Sequence, residues 1–301
     1  MKPAYPDRKV VLITGASSGI GRSIAAHLAG LGYCVYGTSR QPDAHVIEGV
    51  TLLPLEITND DSVRDCVAAV LARAGRIDVL INNAGGDLVG ALEETSLDDA
   101  RWIFDVNFFG AVRMVQAVLP HMRARRSGQI INISSALGLA AWPFEGFYCA
   151  SKYALEGYTE SLCYEMNLFG IRVSSVQPGF FKSNMIARAR EAGRALPDYA
   201  SARARSMRLN HTWAKNAPDP LPVAQTVQRI IESEKPRLRY AVGLEAHLAP
   251  PLAHLLPLSV RFKVGRWLLG VDDPRRDLAR WSWRGALIAA LSLLALRWRR
   301  R

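Results

Sequence analysis

Paired cysteines are missing from this chain. Its four cysteines, Cys34, Cys66, Cys149 and Cys163, show no Cys-x-x-Cys spacing and no histidine partners. Neither a metal centre nor a disulfide framework is indicated, and a reducing compartment is expected. No segment repeats at a fixed period and none is of low complexity, which excludes solenoids and propellers. The first apolar run starts at Lys9, leaving no room for the apolar region of a signal peptide, so a cytoplasmic location is expected. The C-terminal apolar run Gly285–Leu296 is also short. As a helix its twelve residues rise about 18 Å against a ~30 Å hydrocarbon core, which disfavours a simple span. Acidic residues become scarce after residue 181. The first 181 residues carry 15 Lys/Arg against 18 Asp/Glu and the last 120 carry 23 against 9, so the net charge of +11 belongs to the C-terminal third. No aromatic-basic motif accompanies that charge, and nucleic acid is not an expected partner.

The 301 residues, 49% hydrophobic, suit one large α/β domain. The run Lys9-Val-Val-Leu-Ile-Thr14 reads as a buried parallel strand leading straight into Gly15-Ala-Ser-Ser-Gly19-Ile-Gly21, with helical periodicity in Arg22–Leu28. The glycines permit a tight turn and a close approach of backbone to phosphate. A dinucleotide pyrophosphate is expected at the helix N-terminus, against Gly15, Ser17, Ser18, Gly19, Ile20 and Gly21. Two more apolar strands, Arg76–Asn82 and Gln129–Ile133, end in polar residues. In a doubly wound parallel sheet of Rossmann type, ligands bind where strand carboxyl ends point, so Gly15, Asn82 and Ser135 describe one pocket.

Tyr148 and Lys152 lie one helical turn apart, thirteen residues beyond Ser135 and more. A free phenol, with a pKa of about 10, is a poor proton donor and acceptor at neutral pH. An ammonium roughly 6 Å away on the same helix face favours the phenolate. Ser135 would hold the same substrate oxygen by hydrogen bond, a constellation suited to alcohols and carbonyls.

With these motifs in this order, the chain resembles the short-chain dehydrogenase/reductase family. The resemblance rests on Thr14–Gly21, on Asn82-Asn-Ala-Gly85, on Asn107 within Asp105–Gly110, on Ser135, on Tyr148 with Lys152, and on Pro178-Gly179. It implies that Tyr148 is the general acid/base, that Lys152 lowers its pKa and binds the nicotinamide ribose, that Ser135 orients the substrate, and that Asn107 supports a proton-relaying water. It also places Asn83, Ala84, Gly85, Pro178 and Gly179 along the cofactor. Glu56 stands where the family usually carries an adenine-contacting aspartate, with backbone recognition left to Ile57, and Ser183 replaces a threonine at the nicotinamide amide. A homodimer or homotetramer, paired through the helices containing residues 101–126 and 148–168, is implied as well.

The second strand ends in Thr38, Ser39 and Arg40 with no acidic residue. An acid there would bind the ribose 2′-OH and repel a 2′-phosphate, whereas Arg40 would bind that phosphate, so NADP(H) is the expected cofactor. Residues 1–250 are expected to form the catalytic domain, with a substrate-covering segment at about 181–220, and residues 251–301 a basic, apolar extension. Arginines in the covering segment, from Arg188 and Arg190 to Arg203, Arg205 and Arg208, read as a solvated helix face or as contacts to an anionic substrate. Tryptophans and arginines flank the apolar run within residues 281–301. Two readings stand: peripheral contact with the cytoplasmic membrane surface, shared with the stretch His254–Leu269, or packing on the body or on a partner subunit. The wording of Phe147–Gly157 looks most like the hydroxysteroid and retinol dehydrogenase branch. That implies an apolar steroid-, retinoid- or lipid-like carbonyl or alcohol, with Phe144 and Phe147 as candidate pocket walls. A 3-oxoacyl or general ketone reductase is the alternative enzyme, and a non-catalytic NADP-binding sensor the alternative of another class.

Overall fold

Short runs of Val, Ile and Leu, buried on both faces, build a parallel sheet in the computed structural model, which describes residues 8–270. The strands are β1 (Val10–Ile13), β2 (Cys34–Ser39), β3 (Val50–Pro54), β4 (Val79–Asn82), β5 (Leu88–Val89), β6 (Gly128–Ile133), β7 (Ile171–Pro178), β8 (Arg190–Glu191) and β9 (Arg239–Val242). Seven of them form one sheet in the order β3-β2-β1-β4-β6-β7-β9, with every neighbouring pair parallel, while β5 and β8 pair separately. The order reverses between β1 and β4, so the crevice beyond their carboxyl ends is the place for a ligand.

The helices in chain order are α1 (Gly19–Gly30), α2 (Asp60–Ala74), α3 (Leu97–Phe104), α4 (Gly110–Arg125), α5 (Gly146–Asn167), α6 (Ala200–Lys215), α7 (Leu221–Glu232), α8 (Leu244–Leu255) and α9 (Leu258–Leu269). Alternation along β1 divides the core. Val10 and Leu12 join the layer of α2, α4 and α5 through Val67, Val118 and Leu162, while Val11 and Ile13 join that of α1 and α7 through Leu28 and Val227. Local signals set the helix ends: Asn59 caps α2 by accepting the Ser62 N–H at 2.8 Å, and Gly75 ends it at φ 76°. Between α3 and α4 the ladder widens into a π turn, Asp105–Phe109, which carries Asn107. The continuous helical stretch Leu97–Arg125 is long and apolar enough to cross a bilayer by composition. Its Met114, Val115, Val118 and Met122, however, are buried in the core beneath the sheet.

The described chain divides into two units, the first ending at Leu256 and the second beginning at Pro257. The first includes α8, and the second contains α9, whose Phe262 and Trp267 are exposed. The expected membrane segment, residues 281–301, lies outside the described residues. Because Leu12 is fully buried in the centre of the sheet, Leu12→Ala is expected to cost about 2–5 kcal/mol of unfolding free energy, measurable by urea denaturation.

Candidate active site

The glycine turn after β1 is closed by three side chains. Thr14 Oγ1 accepts the N–H groups of Asn83 and Ala84, both at 2.9 Å, and the Asn83 amide donates to the Thr14 and Gly15 carbonyls at 2.9 and 3.1 Å. Thr38 Oγ1 accepts the Gly15 N–H at 3.2 Å. Gly15 and Gly19 have positive φ of 68° and 55°, and a Cβ at Gly21 would lie 2.2 Å from the Gly15 carbonyl oxygen. Ser18 caps α1 without a side-chain hydrogen bond, and the first turn of α1 holds no acidic residue. This N-terminus, with Ser17, Ser18, Ile20 and free first-turn N–H donors, fits the pyrophosphate of a dinucleotide. Beside it, Ser183 meets Gly19: a Cβ on that glycine would be 3.0 Å from the serine Cβ.

Tyr148 and Lys152 lie on the buried face of α5, 7% and 4% exposed. The Tyr148 hydroxyl shares a hydrogen bond with Ser135, which caps the turn after β6 by accepting the Leu137 N–H at 3.1 Å. Lys152 Nζ lies 5.9 Å from the Tyr148 ring centroid and donates to the Ile133 carbonyl at 3.2 Å. Asn107 pins the neighbouring loop, accepting the Gly86 N–H at 2.8 Å and donating to the Gly86 carbonyl at 3.1 Å and to Ser151 Oγ at 3.0 Å. Gly85 lies between Asn107 and Lys152: a Cβ there would be 3.1 Å from Asn107 Oδ1 and 3.8 Å from Lys152 Nζ. The structure thus gathers Asn107, Ser135, Tyr148, Lys152 and Gly85 in one place.

Electrostatics depart from expectation. Burial pushes the Lys152 ammonium down to about 8, opposed by the charges of Glu156 and Asp87. Burial, then the charge of Asp87, pushes the Tyr148 phenol well above its ordinary value, with the Ser135 hydrogen bond opposing. The expected lowering by Lys152 is therefore not what the protein surroundings produce: desolvation dominates, and the phenol is held protonated.

Other expected cofactor residues occupy varied places. Arg40 is exposed at the end of β2, whereas Thr38 and Ser39 are buried. The Glu56 carboxylate accepts the Thr58 N–H and hydroxyl, the latter at 2.8 Å, and the Ile57 side chain is buried against Gly110. At the end of β7, Pro178 leads to Gly179, whose N–H donates to the Val242 carbonyl at 2.8 Å. Phe147 packs with Leu88, Ile103 and Tyr148, while Phe144 meets the Tyr199 ring edge-on at 6.4 Å. The arginines between residues 188 and 208 are partly ion-paired. Arg190 pairs with Asp99 at 2.8 Å and lies over Trp102, and Arg203 pairs with buried Glu94.

A model of the short chain dehydrogenase family matches residues 9–194. The chain belongs to that family. It is 41% identical over 237 residues to 3-ketodihydrosphingosine reductase of Bacteroides thetaiotaomicron, covering 78% of this chain and 88% of the relative. Human retinol dehydrogenase 8 is 44% identical over 184 residues, covering 57% of this chain and 58% of that protein. A solved short-chain dehydrogenase from Streptomyces avermitilis superposes with a TM-score of 0.74 at 35% identity, covering 87% of this chain and 96% of that one. The protein is an oxidoreductase of the hydroxysteroid and retinol dehydrogenase-like branch, acting on alcohol or ketone groups with a nicotinamide cofactor.

Sequence reasoning missed two acids beside Tyr148. Asp87 and Glu145 are 5% and 6% exposed, and burial raises them to about 6 and about 8. The available signal was a charge set inside an apolar context, Gly86-Asp-Leu-Val89 and Phe144-Glu-Gly-Phe147. Both groups hold protons more tightly folded than unfolded, so their contribution to stability is full below about pH 4 and is lost as pH rises through about 6 and about 8. Glu145→Gln is expected to raise the melting temperature at about pH 9 by more than at about pH 5, measured by scanning calorimetry. A difference independent of pH would contradict this assignment.

Proposed function

We propose that this short-chain dehydrogenase is an NADP-dependent reductase of an apolar, lipid-, steroid- or retinoid-like ketone. The observation that carries the reading is the buried Tyr148 hydroxyl, hydrogen-bonded to Ser135 and held in its protonated form. A protonated phenol is the state needed to donate to the oxygen of a carbonyl under reduction. Relatives named for 3-ketodihydrosphingosine and retinol support an apolar substrate.

The α1 N-terminus, with Gly15, Ser17, Ser18, Gly19, Ile20 and Gly21, would hold the pyrophosphate, and Arg40 the 2′-phosphate. Asn83, Ala84, Gly85, Pro178, Gly179 and Ser183 would border the nicotinamide side, and Glu56 and Ile57 the adenine side. When bound, the cofactor supplies the hydride. Ser135 holds the substrate oxygen, and Tyr148 donates its proton as negative charge develops there. Lys152 binds the ribose and carries positive charge toward the phenol, and Asn107 fixes the loop at Gly86 and supports the water that restores the proton. Pairing into a homodimer or homotetramer through α4 and α5 is part of this reading, supported by exposed Phe109, Tyr153, Tyr164 and Leu168.

Tyr148→Phe is expected to lower kcat by about 10²–10⁴ while leaving cofactor affinity in place, read from NADPH absorbance with steroid, retinoid and acyl ketones and from cofactor titration. Retention of most activity would sink the acid/base role. Arg40→Ala is expected to weaken NADPH use about tenfold and to spare NADH. A wild-type enzyme that uses NADH equally well would remove Arg40 from the site.

A further inference from the structure

We infer that Asn132 and Thr159 are positioning residues, a buried hydrogen-bonded key that holds α5, the helix of Tyr148 and Lys152, in register with the strand ends that shape the glycine turn. This rests on the roles given above to Ser135, Tyr148 and Lys152, and deepens them.

Three polar side chains stand where the surrounding pattern is apolar. Leu80 on β4 and Ile130 on β6 are fully buried in the core layer of α5, and alternation puts Asn82 and Asn132 on the same face two residues on. The two amides are direct cross-strand partners in the parallel register. On α5, Thr159 falls within the buried stripe of Leu155, Leu162 and Met166. Asn132 and Thr159 are 0% and 1% exposed, and Asn82 is buried too. Apolar side chains would fill this layer without the cost of drying two amides and a hydroxyl. What the polar groups add is direction.

Their bonds form one chain whose sense is chemically fixed. Thr159 has a single hydroxyl proton and gives it to the Leu155 carbonyl at 2.6 Å, so toward Asn132 its oxygen accepts. It accepts from Asn132 Nδ2 at 2.8 Å, which turns Asn132 Oδ1 to the Asn82 amide, 2.9 Å away. The next residue, Asn83, donates to the Thr14 and Gly15 carbonyls. The chain therefore runs from the glycine turn, through β4 and β6, into α5.

The reacting end of α5 needs such a reference. Its ties to the β6 end there are Tyr148 to Ser135 and Lys152 to the Ile133 carbonyl at 3.2 Å. These are the groups that pass the proton and bind the ribose, so their hydrogen bonds change partners during turnover. Ser151 joins α5 to the π turn through Asn107, and Glu156 joins it to β7 through Ser175. The Asn132 chain leads instead to β4, the strand whose end holds the glycine turn. Thr159 lies eleven residues beyond Tyr148, about 16 Å along the helix and clear of the exchanged proton. Apolar packing is non-directional and by itself lets a helix slip along a sheet. A slip of about 1 Å at the reacting centre can cost about a hundredfold in rate.

The test uses the full chain with NADPH and whichever steroid, retinoid or acyl ketone the wild type reduces fastest. Thr159→Val keeps the side-chain shape and removes both of its hydrogen bonds. It is expected to lower kcat at least about tenfold while changing KM and the NADPH dissociation constant less than about twofold. The solvent deuterium isotope effect on kcat is expected to rise, because proton delivery from a displaced Tyr148 becomes the slow step. Thr159→Ser, which keeps the hydroxyl, is expected to retain most of kcat. Asn132→Leu is expected to match Thr159→Val, and the double variant to lose no more than the larger single loss, since both changes break one chain. Losses that multiply in the double variant, a lowered kcat with an unchanged isotope effect, or wild-type kcat in Thr159→Val overturns the key. Should Asn132→Leu fail to fold, Thr159→Val and Thr159→Ser decide alone. A wild type that oxidises alcohols and reduces no ketone refutes the reductase reading and spares the key, for which the same ratios are then read in the oxidative direction.

Discussion

No side chain fits at position 21. The Cβ of any other residue there would lie 2.3 Å from the Asn83 amide nitrogen, which is itself bonded to the carbonyls of Thr14 and Gly15. The end of β4 and the turn after β1 are therefore one interlocked object, held by Thr14, Asn83 and Thr38. From that anchor the chain runs through Gly85 and Gly86, pinned by Asn107, to Asp87. The wall that shapes the glycine turn on one side delivers a carboxyl group beside Tyr148 on the other.

Dehydration of the α5 face is the second organising force. Ionisable groups on or beside that face, Glu145, Tyr148, Lys152 and Glu156, are all buried, and each is matched differently. Glu156 accepts from Ser175 Oγ at 2.5 Å and from Arg239 at 3.0 Å. Lys152 keeps a backbone carbonyl. Glu145 has an amide, and Tyr148 a serine hydroxyl. The matching is completest at Glu156 and thinner at Lys152 and Glu145.

Much of this was legible in the sequence because it follows local rules. The apolar runs of β1, β4 and β6, the glycine spacing after β1 and the one-turn interval from Tyr148 to Lys152 each depend on residues near in sequence, and the parallel sheet follows from them. The direction of the Tyr148 shift did not. A pair at i and i+4 suggests a through-space Coulomb effect, but the degree of burial is set by β5, α3 and Met185, which are distant in sequence. The partners of Arg190 and Arg203 were illegible for the same reason, since Asp99 and Glu94 lie about a hundred residues upstream. Asn107 was recognised, yet its work in holding Gly86 and Ser151 shows only in three dimensions.

Glu94 ties residues 196–203 to the loop before α3. Its carboxylate, 2% exposed, takes the N–H groups of Ala91 at 3.0 Å and Leu196 at 2.7 Å together with the Arg203 guanidinium. Pulling Leu196 and Arg203 away would leave a buried anion with fewer donors, so the contact resists separation of these segments. One carboxylate thus ties three separate stretches of chain together, the loop before α3, the turn at Leu196 and the first half of α6.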